Sequence, residues 1–223
     1  MPYTLALEVV AVVLAALSAM ITAAKKNLDL VGTYSLAVIV AFGGGTIRDL
    51  LLMRRPFFWA QRWEYLVVIF VLSLPFVYSR RMHQLSQRLV ARGELVDALG
   101  LGFYTVVGCM FALEAKQPAV VAILLGIITA TGGGIIGDVL TNEIPGYFLH
   151  GPLYTSSAFV GAVAFVALEP VSHKIAVPAA VGSAVVLRLM SVFLGATLPR
   201  PHWLRTDAYP IQGPPPDGPR PPG

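Results

Sequence analysis

The chain has 223 residues, 56% of them apolar and 13% charged, with a mean hydropathy of +0.72. A soluble domain carries about 25% charged residues, so this composition excludes an ordinary soluble fold and points to the membrane. The net charge of +4 does not indicate a nucleic-acid partner, because the basic residues cluster at the ends of apolar segments, where they set topology.

Runs of about 20 mostly apolar residues mark transmembrane helices, and seven spans are predicted: 3–24, 30–53, 64–79, 95–113, 118–141, 153–169 and 175–196. The first is read as a span and not as a cleaved signal peptide. It lacks a basic leader, carries Glu8, and is followed rather than preceded by Lys25 and Lys26. The connections are too short for a soluble domain, so residues 1–196 form one transmembrane domain. Residues 197–223, "TLPRPHWLRTDAYPIQGPPPDGPRPPG", are proline-rich and too polar to span, and read as a disordered tail. The loops after spans one, three and five, with the tail, carry Lys25, Lys26, Arg80, Arg81, Arg88, Arg92, Arg200 and Arg205. The opposite face holds Arg54, Arg55, Arg62, Lys116 and Lys174. The richer face is expected to be cytoplasmic, which puts the N-terminus outside a plasma (inner) membrane and the C-terminus inside.

Span two contains "AFGGGTIRDLLL" (41–52) and span five "ATGGGIIGDVLT" (130–141). Gly43 to Gly132, Asp49 to Asp138 and Pro56 to Pro145 are all separated by 89 residues. Between 36–56 and 125–145, ten of 21 positions are identical without a gap, and Glu8 falls on Asp97 at the same offset. This is an internal duplication. Repeat one covers 3–82 and repeat two 92–171, leaving span seven (175–196) unpaired. Three spans are an odd number, so the second repeat enters the membrane from the opposite face and the two are inverted.

Three consecutive glycines cost about 3 kcal/mol of helix propensity relative to alanine. Spans two and five are therefore expected to break at Gly43, Gly44, Gly45 and at Gly132, Gly133, Gly134. Irregular backbone at membrane depth survives only inside protein or beside a water-filled cavity. An intramembrane carboxylate lies six residues (about 9 Å of helix) beyond each triplet, Asp49 in one half and Asp138 in the other. Together these features predict a hydrated cation pathway between the two spans, with the carbonyls of Phe42 and Thr131 freed as oxygen ligands. The competing explanation is that the glycines let helices approach closely. Arg48 has no counterpart, since its repeat partner is Gly137. It either pairs with Asp138 or Asp49 as part of a gate, or snorkels toward the headgroups. Arg188 is expected to snorkel. Glu8 and Asp97 are either vestibule acids or carboxylates favoured at helix N-termini. No enzyme chemistry is indicated. Cys109 is the lone cysteine, and His83, His150, His173 and His202 lack ligand spacing. Neither a nucleotide loop nor a nucleophile–base pair is present, and no cofactor or metal is expected.

The motifs "GGGTIRDLLL" and "GGGIIGDVLTNEIP", each in the second helix of a three-helix repeat, resemble those of the trimeric intracellular cation (TRIC) channel family in its prokaryotic branch. The resemblance covers residues 3–196. It implies an all-α integral membrane protein that forms a homotrimer among membrane lipids, with a separate pore in each protomer. That pore would be bounded by the glycine-motif helices and would pass monovalent cations, chiefly potassium. The basic lipid-binding motif of the animal members is not recognisable. Some related bacterial proteins are regarded as glycine transporters, so a small carrier for glycine or a similar metabolite is the alternative.

Overall fold

A computed structural model describes residues 2–82, 84, 90–146 and 153–199, and all regular structure among them is helical. The helices are α1 (Pro2–Lys25), α2 (Leu30–Leu51), α3 (Phe58–Gln61), α4 (Glu64–Tyr78), α5 (Val90–Glu114), α6 (Ala119–Leu140), α7 (Thr155–Leu168) and α8 (His173–Leu194). The predicted spans correspond to all of these except α3, a single turn in the α2–α4 connection. Five helices (α1, α2, α5, α6 and α8) are long and apolar enough to cross a membrane, while α4 and α7 are shorter apolar helices. The tail from Arg200 onward lies outside the described residues, as do His83, Arg88 and His150 and the side chain of Arg92.

The helix boundaries repeat with the offset of the sequence motif. α2 and α6 are both 22 residues long and begin and end 89 positions apart. Among the described residues, four non-glycine residues adopt the left-handed conformation, Asn27, Met53, Lys116 and Asn142. They form two pairs at the same offset, directly after α1 and α5 and after α2 and α6. A left-handed residue after a helix turns the chain while its neighbours bond the last open carbonyls. Leu28 N–H donates to Ala23 O and Gln117 N–H to Ala112 O, the equivalent bond in each repeat.

The first two helices of each repeat pair antiparallel with their counterparts. α1 and α5 meet with Thr4 beside Glu114 and Ser18 beside Asp97. α2 and α6 cross through their glycines, with Gly44 against Thr129 and Gly133 against Val40. Those two contacts exchange under the 89-residue offset, so the pseudo-twofold axis passes through this crossing.

Here the structure corrects an expectation. Both helices run without interruption through Gly43–Gly45 and Gly132–Gly134. The glycines serve close approach: a Cβ on Gly44 would overlap the carbonyl oxygen of Thr129, and one on Gly133 that of Val40. In lipid an unbroken helix satisfies its own backbone groups, and the close crossing adds packing that offsets the propensity cost. Phe42 and Thr131 consequently do not offer freed carbonyls. Phe42 O accepts the Thr46 hydroxyl at 2.8 Å, and the Thr131 hydroxyl turns back to Ile127 O at 2.9 Å.

Buried apolar residues form one cluster around Val12, Met20 and Ile69 of repeat one and another around Val106, Phe165 and Ala180 of α5, α7 and α8. The first cluster also takes in Tyr104 of α5, and α8 completes the second.

Candidate functional site

The charged residues inside the bundle gather in two clusters related by the repeat. The first lies at the start of α1 and the end of α2. Arg48 Nε and Nη2 donate to Asp49 Oδ1 at 3.0 and 2.8 Å, and Nη2 also reaches Glu8 Oε1 at 3.2 Å. The other carboxylate oxygen of Asp49 accepts the backbone N–H of Phe58 at 3.0 Å, and Arg54 Nη1 stands 3.4 Å from Oδ1. The Phe111 ring covers both guanidiniums, with centroid distances of 4.2 Å to Arg48 Cζ and 3.8 Å to Arg54 Cζ. Arg48 is 0% exposed and Asp49 1%. Arg48 pairs with Asp49 and Glu8, not with Asp138, and it does not snorkel. Two like carboxylates are held together only because a guanidinium stands between them.

The second cluster lies at the opposite end of the bundle, where α5 begins and α6 ends. Asp97 Oδ1 accepts the Tyr154 hydroxyl at 3.1 Å and the Ser18 hydroxyl at 3.4 Å. Arg188 comes from α8, with Nη2 3.0 Å from Glu94 Oε2 and 3.8 Å from Asp97 Oδ2, and its Cζ 4.6 Å from the Tyr154 ring centroid. Arg188 is 9% exposed and ion-paired inside the bundle, which corrects the expectation that it snorkels. Both Glu8 and Asp97 are ion-pair partners of arginines, a role beyond favouring a helix N-terminus.

The equivalence of the clusters extends to Tyr65 and Tyr154, again 89 residues apart, one beside each acid. The differences are equally regular. Where the first cluster has Phe111, the second has Thr22, and Ser18, which bonds Asp97 in the second cluster, has the apolar Val107 as its repeat counterpart. The first cluster is consequently dry, while the second opens into a cavity of about 260 Å³ walled by Lys25, Thr22, Asp138 and Arg188. A second, smaller cavity of about 30 Å³ shares Asp97, Ser18 and Tyr154 with the first and is walled further by Tyr104, Gly133 and Gly134. There the Tyr104 hydroxyl donates to the Ala41 carbonyl, within electrostatic reach of Glu8 and Arg48.

Of the residues singled out in the sequence, Asp138, Gly133 and Gly134 line this two-part cavity. Asp49 and Arg48 sit in the dry cluster, and Gly44, Gly45 and Gly132 fill helix contacts. Phe42 and Gly43 line a separate apolar groove on the far side of α2, and Thr131 is buried. Sequence reasoning missed Glu94 and Tyr154 as wall residues. The Tyr65–Tyr154 offset was a signal for the latter; the contribution of α8 had none, because that helix lies outside the repeat.

An inverted pair of three-helix repeats, each with an acid inside the bundle held by an arginine, defines a polytopic membrane protein of the kind that moves solutes between its halves. A family model described as "Glycine transporter" matches residues 5–81 and 94–170, one match per repeat, and the chain belongs to that family. It is 35% identical over 158 residues to the UPF0126 inner membrane protein YadS of Escherichia coli K12, covering 70% of this chain and 74% of that protein. Among solved structures, the TRIC trimeric intracellular cation channel orthologue from Rhodobacter sphaeroides superposes with a TM-score of 0.79 at 30% identity, over 88% of this chain and all of that one. A prokaryotic TRIC channel crystallised in 0.5 M KCl gives a TM-score of 0.78 at 25% identity, over 86% of this chain and 97% of that one. The fold is that of the TRIC channels.

Proposed function

We propose that the chain is a potassium-permeable cation channel of the inner membrane, assembled as a homotrimer with a pathway through each protomer. The observation that carries this reading is the two-part cavity, lined by Asp97 and Asp138 and by hydroxyls, that leads inward to the α2–α6 crossing. Carboxylates and hydroxyl oxygens along a narrowing hydrated space are what a monovalent cation needs while shedding part of its water. The likeness to channels named for cation conduction and for a trimer supports the same reading. The topology expected from basic residues puts the wide mouth on the cytoplasmic side. The Arg48–Glu8–Asp49 cluster closes the far end, so conduction requires this dry cluster to loosen, and Arg48 acts as a gate residue.

Purified protein in planar bilayers is expected to pass current that reverses near the potassium equilibrium potential under a KCl gradient. Saturable glycine uptake with counterflow in proteoliposomes, without such current, would overturn the channel in favour of the carrier that the family's description names.

A further inference from the structure

We propose that Arg188, on the helix outside the repeat, sets how strongly the wide cavity concentrates cations. It would do so by neutralising Glu94 and Asp97 where that cavity narrows. This rests on the cation-pathway reading and goes beyond it by naming the residue that controls entry.

Asp97, Ser18 and Tyr154 line both the wide and the narrow parts, so anything passing between them passes Asp97. The repeat symmetry is broken at this point. The register that carries Arg48 in repeat one carries Gly137 in repeat two, and a Cβ there would stand 2.6 Å from Val40 Cγ2. The second acid cannot draw an arginine from its own repeat, and α8 supplies one from outside. The two guanidiniums are also held differently. Arg48 is bound through two nitrogens to Asp49 and stacked under Phe111. Arg188 lies over the Tyr154 ring at 4.6 Å and has one close carboxylate contact, 3.0 Å to Glu94, with a longer one of 3.8 Å to Asp97. It stands on the wall of a hydrated space rather than inside a dry cluster.

The walls carry Glu94, Asp97 and Asp138 against Lys25 and Arg188, one net negative charge. Losing Arg188 would double it. A unit charge at about 4 Å, in water-like dielectric, changes the local concentration of a monovalent ion about 5-fold. The effect must fade as salt shortens the screening length.

The test is single-channel recording of the full chain at low and at high KCl. Arg188→Gln is expected to raise potassium conductance about 2- to 5-fold at low KCl, with the gain shrinking at high KCl. Arg188→Lys should stay near the parent, and Arg188→Gln combined with Asp97→Asn should return to it. Arg188→Cys gives an independent reading, because the lone native cysteine, Cys109, is buried at 0% exposure. A cationic thiol-reactive reagent should bring the Arg188→Cys conductance back down, and an anionic one should leave it high. A folded Arg188→Gln protein with parent conductance at low KCl overturns the proposal. So do reagents of opposite charge with the same effect, which also decides the matter if Arg188→Gln fails to fold. A parent protein that passes no current overturns the pathway reading instead, and this inference with it.

Discussion

Arg48 shows how a single residue is committed by its neighbours. It is fully buried between Glu8 and Asp49, under Phe111 and beside Phe58. Replacing it with methionine keeps most of the volume but leaves two carboxylates buried without their counter-charge. Removing one partner of a buried ion pair costs about 3–5 kcal/mol. Arg48→Met should therefore lower the unfolding temperature in detergent markedly, followed by loss of the monodisperse peak on heating. Combining it with Glu8→Gln should recover part of that loss, because the two sites share one interaction. The sequence made Arg48 conspicuous, as an arginine inside an apolar helix next to a duplicated aspartate, and the pairing with Asp49 was among its possible partners. Arg188 was not legible in the same way. Its distance from the helix end fits a snorkelling side chain, and the acids that hold it, Glu94 and Asp97, lie more than 90 positions away.

At the scale of elements, the α2–α6 crossing is where a sequence rule and the fold part company. The spans, their order and their repeat register were readable, because hydropathy over 20 residues and an 89-residue offset are strong signals. The fate of the glycine triplets was not. A low helix propensity describes an isolated helix in water, whereas here the lipid requires each backbone group to be bonded and a neighbouring helix fills the space that the missing side chains leave. The contrast between glycines makes this testable. Gly44→Ala and Gly133→Ala each place a methyl on a backbone carbonyl, so α2 and α6 must separate, and both variants should be destabilised. Gly182→Ala on α8 meets nothing within 4 Å and should leave stability nearly unchanged. Thermal stability of the three variants in one detergent checks the order. Equal responses would mean that the crossing does not depend on the glycines.

For the whole molecule, the informative feature is that an inverted duplication has kept its geometry and lost its chemical symmetry. A perfect twofold would make the two ends of the bundle equally wet. Several registers break it, among them Arg48 against Gly137, Phe111 against Thr22, and Val107 against Ser18. Each substitution pair makes the repeat-one end drier or the repeat-two end more open, and Asp49 and Asp138 inherit different surroundings from identical positions in their repeats. Asp49 is 1% exposed and bonded to Arg48 and to the Phe58 N–H, whereas Asp138 stands on the wall of the cavity. If the protein assembles as proposed, cross-linking in mild detergent should stop at a trimer, and the two aspartates can be compared within that assembly. Asp138→Asn removes one charge from the cavity wall. It should preserve folding and trimer formation while lowering cation conductance at low KCl, most when cations enter from the wide mouth. Asp49→Asn removes a charge that Arg48 and Arg54 both require. Its main effect should be on stability and on open probability, with the conductance of each open channel little changed. The comparison is decided by paired recordings and melting curves on the same preparations. If both asparagine variants lower unit conductance equally and leave the melting curves alone, the two ends are functionally symmetric, and the division into a dry closure and a wet entrance is wrong.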